Sequence, residues 1–132
     1  TVALANGANA QVGALSIEAV PAYNTTPDRL QYHPQGRDNG YVLTIAEGPR
    51  IYIAGDTEDT PEFRAQTDIL IAFVPMNLPY TMTVEQAAEG VNAFQPRHVY
   101  PYHYRGQDPQ AFAALVQGPE VRLGAWYPAG DG

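Results

Sequence analysis

Asp68-Ile-Leu-Ile-Ala-Phe-Val74 is an unbroken apolar run of strand length behind a single acid. A strand without polar alternation belongs inside a sheet, covered on both faces. Such a strand needs neighbours, and the flanking sequence supplies them. Upstream, Tyr41-Val-Leu-Thr-Ile45 and Arg50-Ile-Tyr-Ile-Ala54 read as strands joined by the turn residues Glu47-Gly-Pro49, a hairpin. Earlier, Leu15-Ser-Ile-Glu-Ala-Val20 alternates apolar and polar; Pro21 is expected to end it before a long loop over 21–39. A short helix is expected to start near Pro61, where a proline loses no needed donor. Downstream, Thr83-Val-Glu-Gln86 is a capping box, and Val84, Ala87, Ala88, Val91 and Phe94 follow at helical spacing. Arg97 to Tyr102 reads as the next strand. Asp108-Pro109 caps and opens a helix to about Gln117, and Val121 to Leu123 reads as a last short strand. The order predicts an α/β chain with a mixed sheet, antiparallel early and parallel late. Right-handed crossovers put the helices on one face, leaving the other uncovered.

Composition bounds the chemistry. The chain has 132 residues, the size of one domain over 1–132, with 45% hydrophobic and 16% charged residues, too apolar for a disordered segment. No apolar run approaches the ~18 residues that span a bilayer, so no membrane partner is expected. Fourteen acids against seven bases give a net charge of -7, which argues against nucleic acid. Cysteine is absent, which removes disulfides, thiolate metal sites and a thiol nucleophile. All seven bases are Arg, so Schiff-base chemistry is out as well. The single serine, Ser16, lies mid-strand and outside any Gly-x-Ser-x-Gly elbow. The missing cysteines and the acidity suit a cytoplasmic or a periplasmic chain equally. The first residue is Thr1 and no signal peptide follows it; either a leader or tag has been removed or the chain is part of something longer.

Two residues suited to metal sit where ligands bind in open α/β sheets, beyond the carboxyl ends of strands. Asp56 follows the strand 50–54, and His103 follows the strand 97–102. If the strands are parallel, both side chains reach one rim, close enough to share a cation such as zinc, iron or manganese. By spacing alone the plain reading weighs more, because Gly-Asp-Thr after a strand is often only a turn and a lone strand-end His is often structural. His33-Pro34 lies in the long loop, where a mobile imidazole is also a candidate acid or base. His98 is expected to face away from His103, and the alternating Tyr100, Tyr102 and Tyr104 are ordinary strand residues.

The order of Val20-Pro-Ala-Tyr-Asn24, His33-Pro, Gly40-Tyr-Val, Arg50-Ile-Tyr-Ile-Ala-Gly-Asp-Thr57, Pro75-Met-Asn-Leu-Pro-Tyr-Thr-Met82 and Pro101-Tyr-His-Tyr104 resembles the C-terminal half of metallo-β-lactamase-fold hydrolases. Within them it resembles the branch of ascorbate-6-phosphate lactonase-like and uncharacterised hydrolases. The resemblance runs from about Leu15 to Tyr127. It implies half of an αββα sandwich and a divalent metal, zinc first, with manganese or iron as alternatives. It assigns Asp56 as the bridging metal ligand and His103 as a ligand of the second metal. Where many members have a histidine, this chain has Asn24, a poor ligand, expected to orient water or substrate. His33, Asn77 and Tyr80 are expected in the pocket wall.

The His-x-His-x-Asp-His motif of the family's first half is absent; the histidines are His33, His98 and His103 only. A catalytic zinc normally takes three protein ligands and an open position, so two cannot suffice. Three readings follow. The first is the C-terminal half of a hydrolase for an ester, lactone, amide or phosphoester, inactive and weak in metal affinity when isolated. The second is a non-catalytic half-fold that works by self-association or partner binding. The third is a metal-free module for small molecules. The first leads, and with it the expectation that the chain is not a free monomer but pairs with a missing half or a second copy.

Overall fold

Hairpins build the first half of the sheet. The computed structural model describes residues 1–128, whose strands β1 (Asn9–Val12), β2 (Leu15–Ala22), β3 (Asp38–Ile45) and β4 (Arg50–Ile53) pair antiparallel in sequence order. From β4 onward the pairing is parallel, through β5 (Ile69–Pro75), β6 (His98–Tyr102) and β7 (Glu120–Val121). Parallel neighbours need crossovers, and each carries a helix: α1 (Pro61–Arg64), α2 (Val84–Phe94) and α3 (Pro109–Leu115). A mixed sheet with helices on one face is the architecture the sequence predicts; the sheet has seven strands, one more than expected.

Several boundaries differ. β1 was not expected, because Asn-Ala-Gln-Val has no apolar period and lies exposed at the sheet edge. Its signal is Gly13, whose φ of 59° opens a two-residue turn between Val12 and Leu15. β2 runs through Pro21 to Ala22, two residues past the expected stop. The pairing with β1 ends at Glu18, so Pro21 sits at an open edge where its missing amide costs no ladder bond. The loop from 21 to 39 is correspondingly shorter and holds a 3-10 turn over Pro27–Arg29. The last helix stops at Leu115, and the last strand is Glu120–Val121 rather than 121–123.

Alternation along the strands sorts the side chains onto two faces. Val42, Tyr52, Ala72, Val74 and Val99 point to the helices and are fully buried with Phe63 of α1, Val91 and Phe94 of α2, and Phe112 of α3. Tyr52, Phe63 and Phe94 pack edge to face, with ring centroids 5.2–5.9 Å apart. The capping box forms as expected, with Thr83 Oγ1 accepting from Gln86 N and Gln86 Oε1 accepting from Thr83 N. On the other face Ile51, Ile53, Ile71 and Phe73 are only half-buried, and nothing in the described chain covers them with a second layer. Phe73 stacks on Tyr100 at 5.4 Å, and Trp126 folds over both. Between Trp126 and the sheet is an apolar hollow of about 330 Å³ lined by Ile53, Phe73, Tyr102 and Tyr127.

Candidate metal centre

β4 and β6 run the same way on either side of β5, so their carboxyl ends open onto one rim. The chain leaves β4 through Gly55, whose φ of 72° and 2.8 Å clearance from Asn39 O for any added Cβ restrict the position to glycine. That turn lifts Asp56 clear of the sheet. At the end of β6, His103 takes a left-handed backbone (φ 48°), rare for a non-glycine residue, and this swings its imidazole across the rim. His103 Nδ1 lies 2.8 Å from Asp56 Oδ1. The hydrogen bond from His103 holds the Asp56 carboxyl below its ordinary range, and the same bond to Asp56 holds the imidazole above its own.

A second imidazole reaches the same carboxylate from the loop. His33 Nε2 is 3.5 Å from Asp56 Oδ2, while His33 Nδ1 is 3.0 Å from Asp38 Oδ2. Asp56 thus lies between two histidines that are 70 residues apart in sequence. On the far side of His103, Asn77 completes the row. Its amide, oriented by its surroundings, accepts from His103 Nε2 at 2.8 Å through Oδ1 and donates to Leu78 O and Arg105 O at 3.2 Å.

The supports of this rim were not read from the sequence. Tyr102 Oη accepts the Gly55 N–H at 3.1 Å, and burial together with the Asp56 charge pushes its pKa up to about 12. Tyr127 Oη accepts the His103 N–H at 3.0 Å. Beneath the loop, the fully buried Glu58 carboxylate accepts from Thr25 N, Thr26 N and Oγ1, Arg29 Nη1 and Gln86 Nε2. Burial alone would raise the Glu58 pKa; the donors from Thr26, Gln86 and Thr25 outweigh it and hold the group below its ordinary value. The usable signals were the acid beside Gly-Asp-Thr and the Gln86 amide, which serves both the helix cap and this knot. Asn24 is buried away from the row. Its Nδ2 donates to Arg29 O and Tyr80 O, so it ties the loop to the Asn77–Tyr80 segment. Tyr80 stands at the surface against Tyr32 and, with Asn77 and His103, lines an open cavity of about 550 Å³.

In kind, one carboxylate and two imidazoles fit a divalent cation. Two donors ~2.0–2.1 Å from a tetrahedral zinc ion lie ~3.3 Å apart, which matches the His33–Asp56 separation. His103 and Asp56, at 2.8 Å, are hydrogen-bonded to each other and must part by roughly half an ångström to share an ion. Among the described residues no group of three or more His, Cys, Asp or Glu side chains is already arranged to hold a metal. The rim offers part of a coordination sphere.

Comparison with known proteins places the chain. Residues 1–103 match the family model described as a β-lactamase superfamily domain, and the chain belongs to that superfamily. Over 90 residues it is 42% identical to a UPF0173 metal-dependent hydrolase of Lysinibacillus sphaericus, covering 62% of this chain and 40% of the relative. The crystal structure of a protein from Parabacteroides distasonis, assigned as a metal-dependent hydrolase, superposes with a TM-score of 0.87 at 51% identity, over 91% of this chain and 56% of that one. The metallo-β-lactamase-fold protein YhfI of Bacillus subtilis shares the fold alone, with a TM-score of 0.71 at 8% identity over 93% of this chain and 52% of that one. The chain therefore spans about half the length of the relatives it matches.

Proposed function

We propose that this chain supplies one half of the metal centre of a hydrolase. The observation that carries the reading is the Asp56 carboxylate set between His33 and His103 on one rim, beside an open cavity. Relatives named as metal-dependent hydrolases support the same reading. Asp56 and His103 are the ligands, and the geometry adds His33, whose spacing already suits a shared ion. Held by these residues, a divalent metal would supply Lewis-acid activation of water and of the scissile bond. Zinc suits the carboxylate and imidazole donors, and manganese or iron would also accept them. Asn77 fixes the His103 ring, and Tyr102 and Tyr127 hold the backbone that presents Asp56 and His103. The substrate class is an ester, lactone, amide or phosphoester. The remaining ligands come from the part of the relatives' length that this chain does not span.

The open sheet face supports the same assignment. Phe73, Tyr100 and Trp126 form an aromatic surface that no second layer of the described residues covers, and an apolar area of this kind seldom stays in water. We propose that the rest of a polypeptide about twice this length covers it, in preference to a second copy. Stripping the whole protein with a chelator should abolish hydrolysis of 4-nitrophenyl esters, and zinc or manganese should restore it. Hydrolysis that survives both chelation and Asp56→Asn would reject the reading.

A further inference from the structure

The cavity beside His103 is lined by hydrogen-bond donors and, among the described residues, by no carboxylate: its polar side chains are Asn77, Tyr80, His103, Arg105 and Tyr127. Asn77 is committed to His103 and to backbone carbonyls. Tyr127 Oη accepts from the backbone, and among the described residues neither its own proton nor that of Tyr80 Oη has an acceptor. Arg105 is the decisive group. In this acidic chain, five of the seven arginines hold a carboxylate: Arg29, Arg37, Arg50, Arg64 and Arg122. Arg97 and Arg105 have no such partner among the described residues, and Arg105 lines the cavity beside His103. Its backbone is fastened, since the Asn77 amide that orients His103 also donates to Arg105 O. One side chain thereby sets the imidazole and the guanidinium-bearing turn in fixed relation.

We propose that Arg105 is a specificity residue that receives an oxyanion on the substrate, a carboxylate or a phosphate, while the bond to be cleaved lies toward His103 and Asp56. The inference rests on the hydrolase reading and names its substrate class. A planar guanidinium matches two oxygens of either group, and the Tyr127 and Tyr80 hydroxyls supply further donors. With a net charge of -7 over the chain, a cation that has no ion-pair partner among the described residues also focuses attraction for an anion beside the rim. A neutral substrate could accept from these donors but would leave the Arg105 charge unanswered.

The test uses the whole protein labelled with nitrogen-15, zinc-loaded and chelator-treated, titrated with succinate, with inorganic phosphate and with glycerol as the neutral control. Succinate or phosphate should shift the Arg105 Nε–H and the His103 and Tyr127 amides saturably, the tighter probe telling carboxylate from phosphate; glycerol should not. Arg105→Gln should weaken that binding about tenfold, as expected for one charge-assisted hydrogen bond, with Arg105→Lys between the two. Unchanged amide spectra elsewhere would show that the variants are folded. In parallel, the ratio of kcat/KM for mono-4-nitrophenyl glutarate over 4-nitrophenyl acetate should fall about tenfold in Arg105→Gln. Equal anion binding by wild type and Arg105→Gln, or no shift at Arg105 with either anion, overturns the proposal. Anion binding at Arg105 without hydrolysis of any ester would instead break the hydrolase reading, keeping Arg105 as an anion site and overturning its role in substrate selection.

Discussion

Strand β6 has a histidine near each end, and each histidine faces a carboxylate. His98 Nδ1 lies 3.0 Å from Glu120 Oε2, and His103 Nδ1 lies 2.8 Å from Asp56 Oδ1. Distance alone would make them equivalent, but their surroundings do not. Glu120 is 57% exposed and its other oxygen is held by Arg122 Nε at 3.1 Å, so its charge is already answered. The His98 contact is out of line for a hydrogen bond and leaves Nδ1 unsatisfied. Among the described residues Asp56 pairs with no arginine. It has a second imidazole, a left-handed histidine backbone opposite it, a cavity beside it, and three separate segments converging on its row. A histidine–carboxylate pair becomes a candidate site through what converges on it, and only one end of β6 has that.

The largest effect should come from beneath the Asp56 end. Glu58→Ala leaves the Arg29 guanidinium and the Thr25 and Thr26 amides without their common acceptor, a loss of about 3 kcal/mol or more. Urea unfolding of variant and wild type reads this difference, and no residue at the His98 end is expected to match it. The effect should depend on pH with a definite sign. The folded Glu58 pKa lies below its unfolded value of ~4.3, so the full contribution is present above that pH. It is lost as pH falls through the folded value, and the two proteins should converge in acid. A wild-type advantage that grows on acidification would contradict the account.

Next comes metal affinity. Asp56→Asn should weaken zinc binding about tenfold or more, one ligand bond being worth at least 1.4 kcal/mol. Glu120→Gln, at the other end, should leave it unchanged in the same calorimetric titration. Tyr102→Phe should cost about 1 kcal/mol in thermal unfolding by leaving the Gly55 amide without its acceptor. The smallest effect belongs to His98→Gln, expected within about 0.5 kcal/mol of wild type. If His98→Gln instead lowered zinc affinity, the two ends would have to be ranked the other way.

The sequence showed these ends unequally. The apolar run before Pro75, the capping box at Thr83 and the hairpin at Glu47 each signal through local periodicity or turn chemistry, and their elements formed. Asp56 and His103 were legible because each follows a strand whose direction the crossovers imply. His33 was placed only in a pocket wall, since its approach to Asp56 depends on how a loop folds back between β2 and β3. The Glu58 knot went unread for the same reason: its partners Thr26, Arg29 and Gln86 are 28 to 32 residues away, so the acid and the amide gave no sign of meeting. β1 went unseen because an exposed edge strand needs no apolar pattern, leaving only Gly13 to mark it.

One measurement decides between the two ends. Crystals of the protein soaked in zinc and measured on either side of the zinc absorption edge should give an anomalous peak ~2.0–2.2 Å from an Asp56 carboxylate oxygen and from imidazole nitrogens of His103 and His33. A peak between His98 and Glu120, with none at Asp56, would contradict the account.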